Sequence, residues 1–123
     1  MNNSIQKAKK LIGCFASGDV AMARSLLKEN YIQHNLAYNT GAKAFCDSVA
    51  SLGSAPVKTT VNTIRAFEDG DKVFLQTVYN FAGAGEQVAF DIFRFEDGLV
   101  AEHWDVMETI ADEATWHNYN GKF

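Results

Sequence analysis

Four strand-like runs separated by short turns fill most of the chain after Pro56, its only proline. They are rich in Val, Thr, Phe and Tyr, and they cover approximately Val57–Phe67, Lys72–Ala82, Glu86–Phe95 and Leu99–Glu108. Connections this short allow only antiparallel hairpins, because parallel neighbours need a crossover of about a dozen residues. The second half of the chain therefore predicts a curved antiparallel meander of four strands.

The first half of the chain has helical periodicity instead. Its apolar spacing predicts three helices: one from a Ser4 cap to the Ser17-Gly18-Asp19 break, a second from Val20 to about Asn30, and a third between a Thr40 cap and Gly53. Helices followed by a meander indicate an α+β domain with the helices on one face of the sheet. A length of 123 residues suits one domain over residues 1–123.

Composition limits the partners and the compartment. The formal net charge is −4, so no basic field exists to bind a phosphate backbone, and nucleic acid is not expected as a partner. No stretch approaches the roughly 20 apolar residues that span a bilayer, and no export signal is recognisable. Cys14 and Cys46 fit buried, reduced thiols, so we expect a cytoplasmic protein.

The last predicted hairpin carries the side chains best suited to chemistry: Asp91 on one strand, and His103 and Asp105 on the next. His103 and Asp105 must share a face, because side chains alternate along a strand. If Asp91 joins them under the helices, two carboxylates and an imidazole lie together among aromatic residues. Such a group can take and return protons near neutral pH.

The turn decides on which face Asp91 lies. A two-residue loop, Asp97-Gly98, would pair Asp91 with Trp104 and place it on the face opposite His103. A three-residue loop, Glu96-Asp97-Gly98, would pair Asp91 with His103 instead. The second register also gives the better apolar cross-strand pairs. We therefore expect the three-residue loop.

This register sorts the hairpin into two faces. The face expected to lie under the helices contains Asp91, Phe93, Phe95, Ala101, His103, Asp105 and Met107. The opposite face is too apolar for water, and we expect it to pack on a second copy of the chain as a homodimer. The residues of that contact are Val88, Phe90, Ile92, Trp104 and Val106.

Three segments resemble the SnoaL-like polyketide cyclase family: Tyr31-Ile32-Gln33-His34-Asn35, Asp91-Ile92-Phe93-Arg94-Phe95-Glu96-Asp97-Gly98 and Glu102-His103-Trp104-Asp105-Val106. The resemblance extends over nearly the whole chain. That family belongs to the nuclear transport factor 2-like superfamily, which also includes ketosteroid isomerases and limonene epoxide hydrolases. The resemblance implies a cystatin-like α+β cone with a deep pocket, a dimer, and no metal or organic cofactor.

The resemblance also implies a set of site residues. Carried over by motif, the candidate catalytic residues are His34, Asp91, His103 and Asp105. The candidate substrate-binding residues of the pocket wall are Tyr31, Phe93, Phe95 and Met107. A metal held by His34, His103 and a carboxylate is a further arrangement of the same side chains, but the resemblance is to a metal-free family.

Several functions fit these expectations. The first is a cyclase, isomerase or lyase type of enzyme acting on a small, largely apolar carbonyl compound, with Asp91 or Asp105 as base and His34 and His103 as proton donors or orienting groups. A hydrolase would activate water with the same residues. A non-catalytic binding module would have the pocket without the reaction. A purely structural dimerisation domain would have no closed pocket.

Overall fold

The computed structural model describes residues 3–123, in which helices pack on one face of a single five-stranded sheet. The elements are α1 (Ser4–Ser17), α2 (Val20–Leu26), β1 (Leu27–Gln33), α3 (Ala42–Gly53), β2 (Thr60–Asp69), β3 (Lys72–Asn80), β4 (Glu86–Glu96), β5 (Leu99–Thr109) and a 3-10 turn at Glu113–Thr115. The strand order is β1-β5-β4-β3-β2. The α+β class is confirmed. Residues 1 and 2 of the predicted single domain lie outside the described residues.

The segment Leu27–Gln33 forms an edge strand where the sequence predicts a helix that continues to about Asn30. It runs parallel to β5, with Gln33 beside His103. The prediction of four strands, all antiparallel, is wrong. The segment shows no strict alternation, and the helical spacing of the preceding apolar residues continues into Leu27. Pairing with β5, which is distant in sequence, overrides this local pattern.

The third helix begins at Ala42, after Gly41 at φ 96°, and its first turn has no side-chain cap. The predicted cap at Thr40 is therefore wrong. The Thr40 hydroxyl instead donates to the carbonyl of Tyr31 at 3.0 Å and accepts from the N–H of Gln33 at 3.1 Å. These two bonds attach the loop before α3 to the edge strand.

The β4–β5 hairpin has a register that neither predicted loop gives. Its loop has two residues, Asp97 and Gly98, at φ 54° and 76°. Positive φ at both positions is the geometry of a type I′ turn. A bulge at Ala101 then shifts the pairing, so that Asp91 lies opposite Asp105. The predicted three-residue loop is therefore wrong, and so is the pairing of Asp91 with His103.

The bulge nevertheless leaves the titratable residues of the hairpin on their predicted face. Relative to a regular two-residue hairpin, an extra residue in β5 moves the side chains beyond it to the opposite face of the sheet. A loop one residue longer would have the same effect. Asp91, Phe93, His103, Asp105 and Met107 therefore all lie on the inner face, which α1 and α3 cover. The predicted sorting of these side chains is confirmed, although the cause is the bulge.

The C-terminal segment lies across part of the outer face. The side-chain amide of Gln76 donates to the carbonyl of Lys122 at 3.3 Å, and the Lys122 ammonium pairs with Glu108 at 2.9 Å. Val88 is buried beside this segment, whereas the predicted interface residue Val106 is 72% exposed. Within residues 3–123, no helix is long and apolar enough to cross a bilayer.

Two glycines allow α1 and α3 to meet at their C-terminal ends. Gly18 ends α1 at φ 72°, and its N–H donates to the carbonyl of Cys14 at 2.8 Å. A methyl group on Gly53, the last residue of α3, would lie 2.7 Å from the Cα of Gly18. That separation is too short for two non-bonded carbon atoms. The Cα of Gly18 is a backbone atom, so relieving the clash would require the helices themselves to move. The contact therefore fixes how α3 lies over the sheet.

We expect Gly53→Ala to destabilise the fold by about 1–3 kcal/mol, because the added methyl group forces α1 and α3 apart. Gly13→Ala is the matched control, since nothing lies within 4 Å of the added methyl group there. Its higher helix propensity should stabilise the protein by about 0.5–1 kcal/mol. Urea unfolding of both variants measures the two changes. Equal stabilisation by both substitutions would contradict the close contact.

Candidate active site

A cavity of about 60 Å³ lies between the inner face of the sheet and the helices α1 and α3. A water molecule needs roughly 10–15 Å³ of such space, so the cavity holds a few waters or the end of a small ligand. Its wall is largely aromatic, formed by Phe15, Phe45, Tyr79, Phe81 and Phe93. Its polar groups include Gln33, Asn35, Asp91, His103 and Asp105.

A wider recess of about 540 Å³ lies beside this cavity. Tyr38, Ser48, Leu52 and Phe81 line both spaces. The recess is therefore the approach to the cavity, bordered by α3, the loop that contains Tyr38 and the turn between β3 and β4. A ligand longer than the inner cavity would extend into this recess.

Asp91 and His103 form a buried pair in the cavity wall. One carboxylate oxygen of Asp91, Oδ1, lies 2.7 Å from Nε2 of His103, and the other accepts a hydrogen bond from the Tyr79 hydroxyl at 2.8 Å. The two residues are only 3% and 6% exposed. Phe93, opposite His103 in the hairpin, stacks on the imidazole with ring centroids 4.6 Å apart. Burial of such polar groups requires partners of this kind.

Asp105 lies opposite Asp91 in the hairpin but has different surroundings. Its Oδ2 accepts a hydrogen bond from the side-chain amide of Asn35 at 3.0 Å and lies 4.0 Å from Nε2 of His103. Among residues 3–123, no hydrogen-bond donor contacts its Oδ1, and Asp105 lines the cavity. Asp105 therefore presents a free carboxylate oxygen to a bound molecule.

Gln33 and Asn35 belong to the site, although sequence analysis did not assign them. Oε1 of Gln33 lies 2.8 Å from Nδ1 of His103 and accepts from the backbone N–H of Asn35 at 3.0 Å. Nε2 of Gln33 donates to the Tyr31 hydroxyl at 2.7 Å. Side chains alternate along a strand, so Gln33 lies on the same face as Tyr31. This position was missed because β1 was predicted as helix and loop, and its sequence shows no strict apolar alternation.

The same alternation turns His34 to the outer face. Its Nε2 lies 2.7 Å from Oε2 of Glu102, its ring stacks on Trp104 with centroids 5.0 Å apart, and its side chain is 43% exposed. The prediction that His34 faces the pocket is wrong, because Gln33 takes the inward position. Hydrogen bonds from His34 and then Arg94 hold the pKa of Glu102 below its usual value.

The four predicted wall residues divide into two pairs. Phe93 and Met107 line the cavity. Tyr31 and Phe95 are buried in the core and do not line it. The Tyr31 ring packs edge-on against Phe45, with centroids 6.0 Å apart, so its hydroxyl reaches Gln33 instead of a ligand. The prediction of a direct substrate contact is therefore wrong for Tyr31 and Phe95.

Asp91, His103 and Asp105 also offer ligand atoms within 4.8 Å of one another, a spacing that would suit a metal ion. However, Nε2 of His103 and Oδ1 of Asp91 approach to 2.7 Å, and the lone pairs that would bind a metal are engaged in that contact. The alternative triad that includes His34 is excluded, since His34 lies on the other face. The geometry favours proton sharing.

Burial, the charge of Asp91 and the hydrogen bond to Asp91 raise the pKa of Tyr79 well above its ordinary value. Burial likewise raises the pKa of Tyr31, and the charges of Asp105 and Asp91 add to the effect. Both hydroxyls therefore stay protonated in the folded protein at a pH where an unfolded tyrosine ionises. The site keeps two neutral hydroxyl groups beside its carboxylates.

The raised pKa of Tyr79 in the folded protein predicts a loss of stability at alkaline pH. The contribution of Tyr79 is fully present below the ordinary tyrosine pKa of about 10 and decreases as the pH rises above it, because only the unfolded chain loses the proton. Each such tyrosine contributes a slope of about −1.4 kcal/mol per pH unit. Tyr79→Phe should be less stable at neutral pH but show a slope shallower by that amount.

Urea unfolding of wild type and Tyr79→Phe across the alkaline range measures the two slopes. Below about pH 9, where unfolded tyrosine is still protonated, the two proteins should show the same pH dependence. Equal slopes above about pH 10 would mean that Tyr79 loses its proton in the folded state, contrary to the buried hydrogen bond to Asp91.

Solved structures of the same fold have been determined for several distant proteins. An NTF2-like protein of unknown function from Cytophaga hutchinsonii aligns with a TM-score of 0.74 at 15% identity, covering 88% of this chain and 92% of that one. An LEH-like epoxide hydrolase from M. tuberculosis aligns with a TM-score of 0.74 at 14% identity, covering 85% and 82%. A protein with a ketosteroid isomerase-like fold from Catenulispora acidiphila aligns with a TM-score of 0.67 at 16% identity, covering 86% of each chain.

Identities this low establish the fold alone. The sequence has no match among curated proteins. A family model described as the SnoaL-like domain, however, matches residues 8–103. That range contains α1 from Ala8 onwards, all of α2, α3 and β1 to β4, and β5 as far as His103. The chain therefore belongs to the SnoaL-like domain family.

Proposed function

We propose that this protein is a cofactor-independent acid/base enzyme that removes a proton next to the carbonyl group of a small, largely apolar compound. The observation that carries the proposal is the unequal environment of two facing carboxylates. Asp91 is held by Tyr79 and His103, whereas Asp105 has one oxygen free towards the cavity. Such differences between paired acids assign the roles of proton donor and proton acceptor.

Asp105 is the base in this proposal. Its free oxygen takes the proton from the carbon next to the carbonyl group, while Asn35 holds the other oxygen in place. Nε2 of His103 lies 4.0 Å from Asp105, so it can serve the same small molecule. The proton between His103 and Asp91 is then available to the developing enolate oxygen. The aromatic wall excludes water and selects an apolar substrate.

The family supports a reaction of this class without selecting one. Its superfamily includes cyclases, isomerases and epoxide hydrolases, and a cyclase, an isomerase or a lyase can begin with the same proton removal. A hydrolase is the second candidate, because the cavity has room for a few waters beside Asp105 and Asn35. In that case Asp105 would activate water instead of taking a proton from carbon.

Hydrogen exchange at carbon tests the proposal without knowledge of the complete reaction. Cyclopentanone, cyclohexanone, 1-indanone and 2-tetralone in D₂O form a suitable panel, and the loss of the proton signal next to the carbonyl is followed by NMR. Wild type should accelerate exchange of at least one ketone above the buffer rate. Asp105→Asn should reduce that acceleration by about 10²–10⁴-fold, the usual contribution of a positioned base.

His34→Gln is the control for this experiment, because His34 lies on the outer face and should leave the exchange rate within about twofold. A protein that binds these ketones without exchanging their protons would contradict the enzyme proposal and favour a binding module. Hydrolysis of epoxides, with no exchange of any ketone, would favour the hydrolase. Equal exchange by wild type and Asp105→Asn would remove Asp105 from the mechanism.

We propose further that the outer face of the sheet pairs with a second copy of the chain. Phe90 and Val106, adjacent in the hairpin, are 45% and 72% exposed, and Phe74 stacks on Phe90 at 5.6 Å. The charged groups on either side of this patch already have partners within the chain, in the pairs Arg94–Glu102 and Lys122–Glu108. An apolar patch with a satisfied charged border suits a self-complementary contact about a two-fold axis. Val88, being buried, is not part of it.

We expect Val106→Arg to convert a dimer into a monomer, because it places a charge at the centre of the apolar patch. Val20→Arg is the matched control, since Val20 is also an exposed valine, 38% exposed, but lies on α2. Light scattering coupled to size-exclusion chromatography measures the mass of each variant. A wild-type protein that is monomeric at high micromolar concentration would contradict the proposed contact.

A further inference from the structure

We propose that Gln33 is a positioning residue that fixes His103 in the form with a proton on Nδ1. Gln33 is the last residue of β1 and lies directly beside His103 in the parallel pair with β5. Its side chain contacts Nδ1, the imidazole nitrogen that faces away from Asp91. Of the three groups proposed to react, Asp91, His103 and Asp105, the Gln33 side chain contacts His103 alone.

The orientation of the Gln33 amide follows from its other partners. The backbone N–H of Asn35 can only donate, and it points at Oε1 of Gln33 at 3.0 Å. A reversed amide would place two N–H groups against each other there. With Oε1 towards Asn35, Nε2 of Gln33 donates to the Tyr31 hydroxyl at 2.7 Å. The backbone therefore determines which end of the amide is the oxygen.

This oxygen determines the protonation of the imidazole. Nδ1 of His103 lies 2.8 Å from Oε1 of Gln33, and an amide oxygen can only accept, so Nδ1 must carry a proton. An unprotonated Nδ1 would set two lone pairs against each other in a buried site. Nε2 then faces Oδ1 of Asp91 at 2.7 Å, with one further proton between them.

The site therefore carries one proton more than a neutral histidine hydrogen-bonded through Nε2–H to a charged aspartate. Either His103 holds it as an imidazolium or Asp91 holds it as a carboxylic acid, and Gln33 supports both forms. The pair is thereby prepared to donate a proton, which leaves Asp105 to accept one. This consequence for catalysis rests on the proposed function, whereas the protonation of Nδ1 does not.

Nitrogen NMR of His103 tests the inference directly. The three histidines are distinguished with the variants His34→Gln and His117→Gln, and ring proton–nitrogen correlations report whether each nitrogen carries a proton. Wild type at pH 7 should show Nδ1 of His103 protonated. Gln33→Met removes the acceptor with little change in side-chain length, and Nδ1 should then be unprotonated, with Nε2–H donated to Asp91.

Gln33→Glu is the conservative control. Its carboxylate still accepts from Asn35 and from His103, so the protonated Nδ1 should return. In the ketone-exchange assay, Gln33→Met should lower the rate at least tenfold, since a wrong histidine tautomer removes a large part of acid/base catalysis, and Gln33→Glu should recover part of it. If no ketone exchanges even with wild type, the proposed function fails while the NMR result still decides the role of Gln33.

Two results would overturn the inference. One is an unprotonated Nδ1 of His103 in the wild-type protein. This measurement does not depend on whether any variant folds. The other is a folded Gln33→Met protein, with unchanged His34 and His117 signals, in which Nδ1 of His103 stays protonated. A role for Gln33 in packing alone would lower stability and activity without moving the proton.

Discussion

The parallel pairing of β1 with β5 is the constraint on which the site depends. It sets Gln33 beside His103 and carries the chain on to Asn35, which holds Asp105. It also turns His34 outward, towards Glu102. Without β1, the hairpin would still present its two carboxylates and its imidazole. Neither Nδ1 of the imidazole nor the second carboxylate would then have its present partner.

Hydrogen bonding within the site explains how its charges tolerate burial. Desolvation of a carboxylate costs several kcal/mol unless hydrogen bonds or an opposite charge replace the lost water. Asp91 has two hydrogen-bond partners of this kind, the Tyr79 hydroxyl and the His103 imidazole. Among residues 3–123, no buried side-chain polar atom lacks a hydrogen-bond partner. The polar groups of the site are therefore held in place before a ligand arrives, and under the proposed function this reduces the reorganisation that catalysis requires.

Sequence alone predicted the α+β class, three helices, four of the five strands and the inner face for Asp91, Phe93, His103, Asp105 and Met107. It failed where contacts distant in sequence decide the result. β1 is a strand only because β5 lies beside it, and the position of His34 follows from that strand. The predicted pairing of Asp91 was wrong for a local reason, because no residue pattern in the sequence indicates a bulge at Ala101. These residues still lie on the predicted face, because a one-residue bulge and a loop one residue longer both shift the pairing by one residue and so turn the same side chains inward.

The two aspartates show why residue type and spacing underdetermine chemistry. Asp91 and Asp105 are directly opposite in one hairpin, on one face, above the same cavity. Their difference comes from their neighbours: Tyr79 on β3 and His103 on β5 for Asp91, and Asn35 after β1 for Asp105. Like charges this close resist simultaneous ionisation unless something separates them. Here a phenol and an imidazole contact one carboxylate and not the other, and under the proposed function this leaves Asp105 to act as the base.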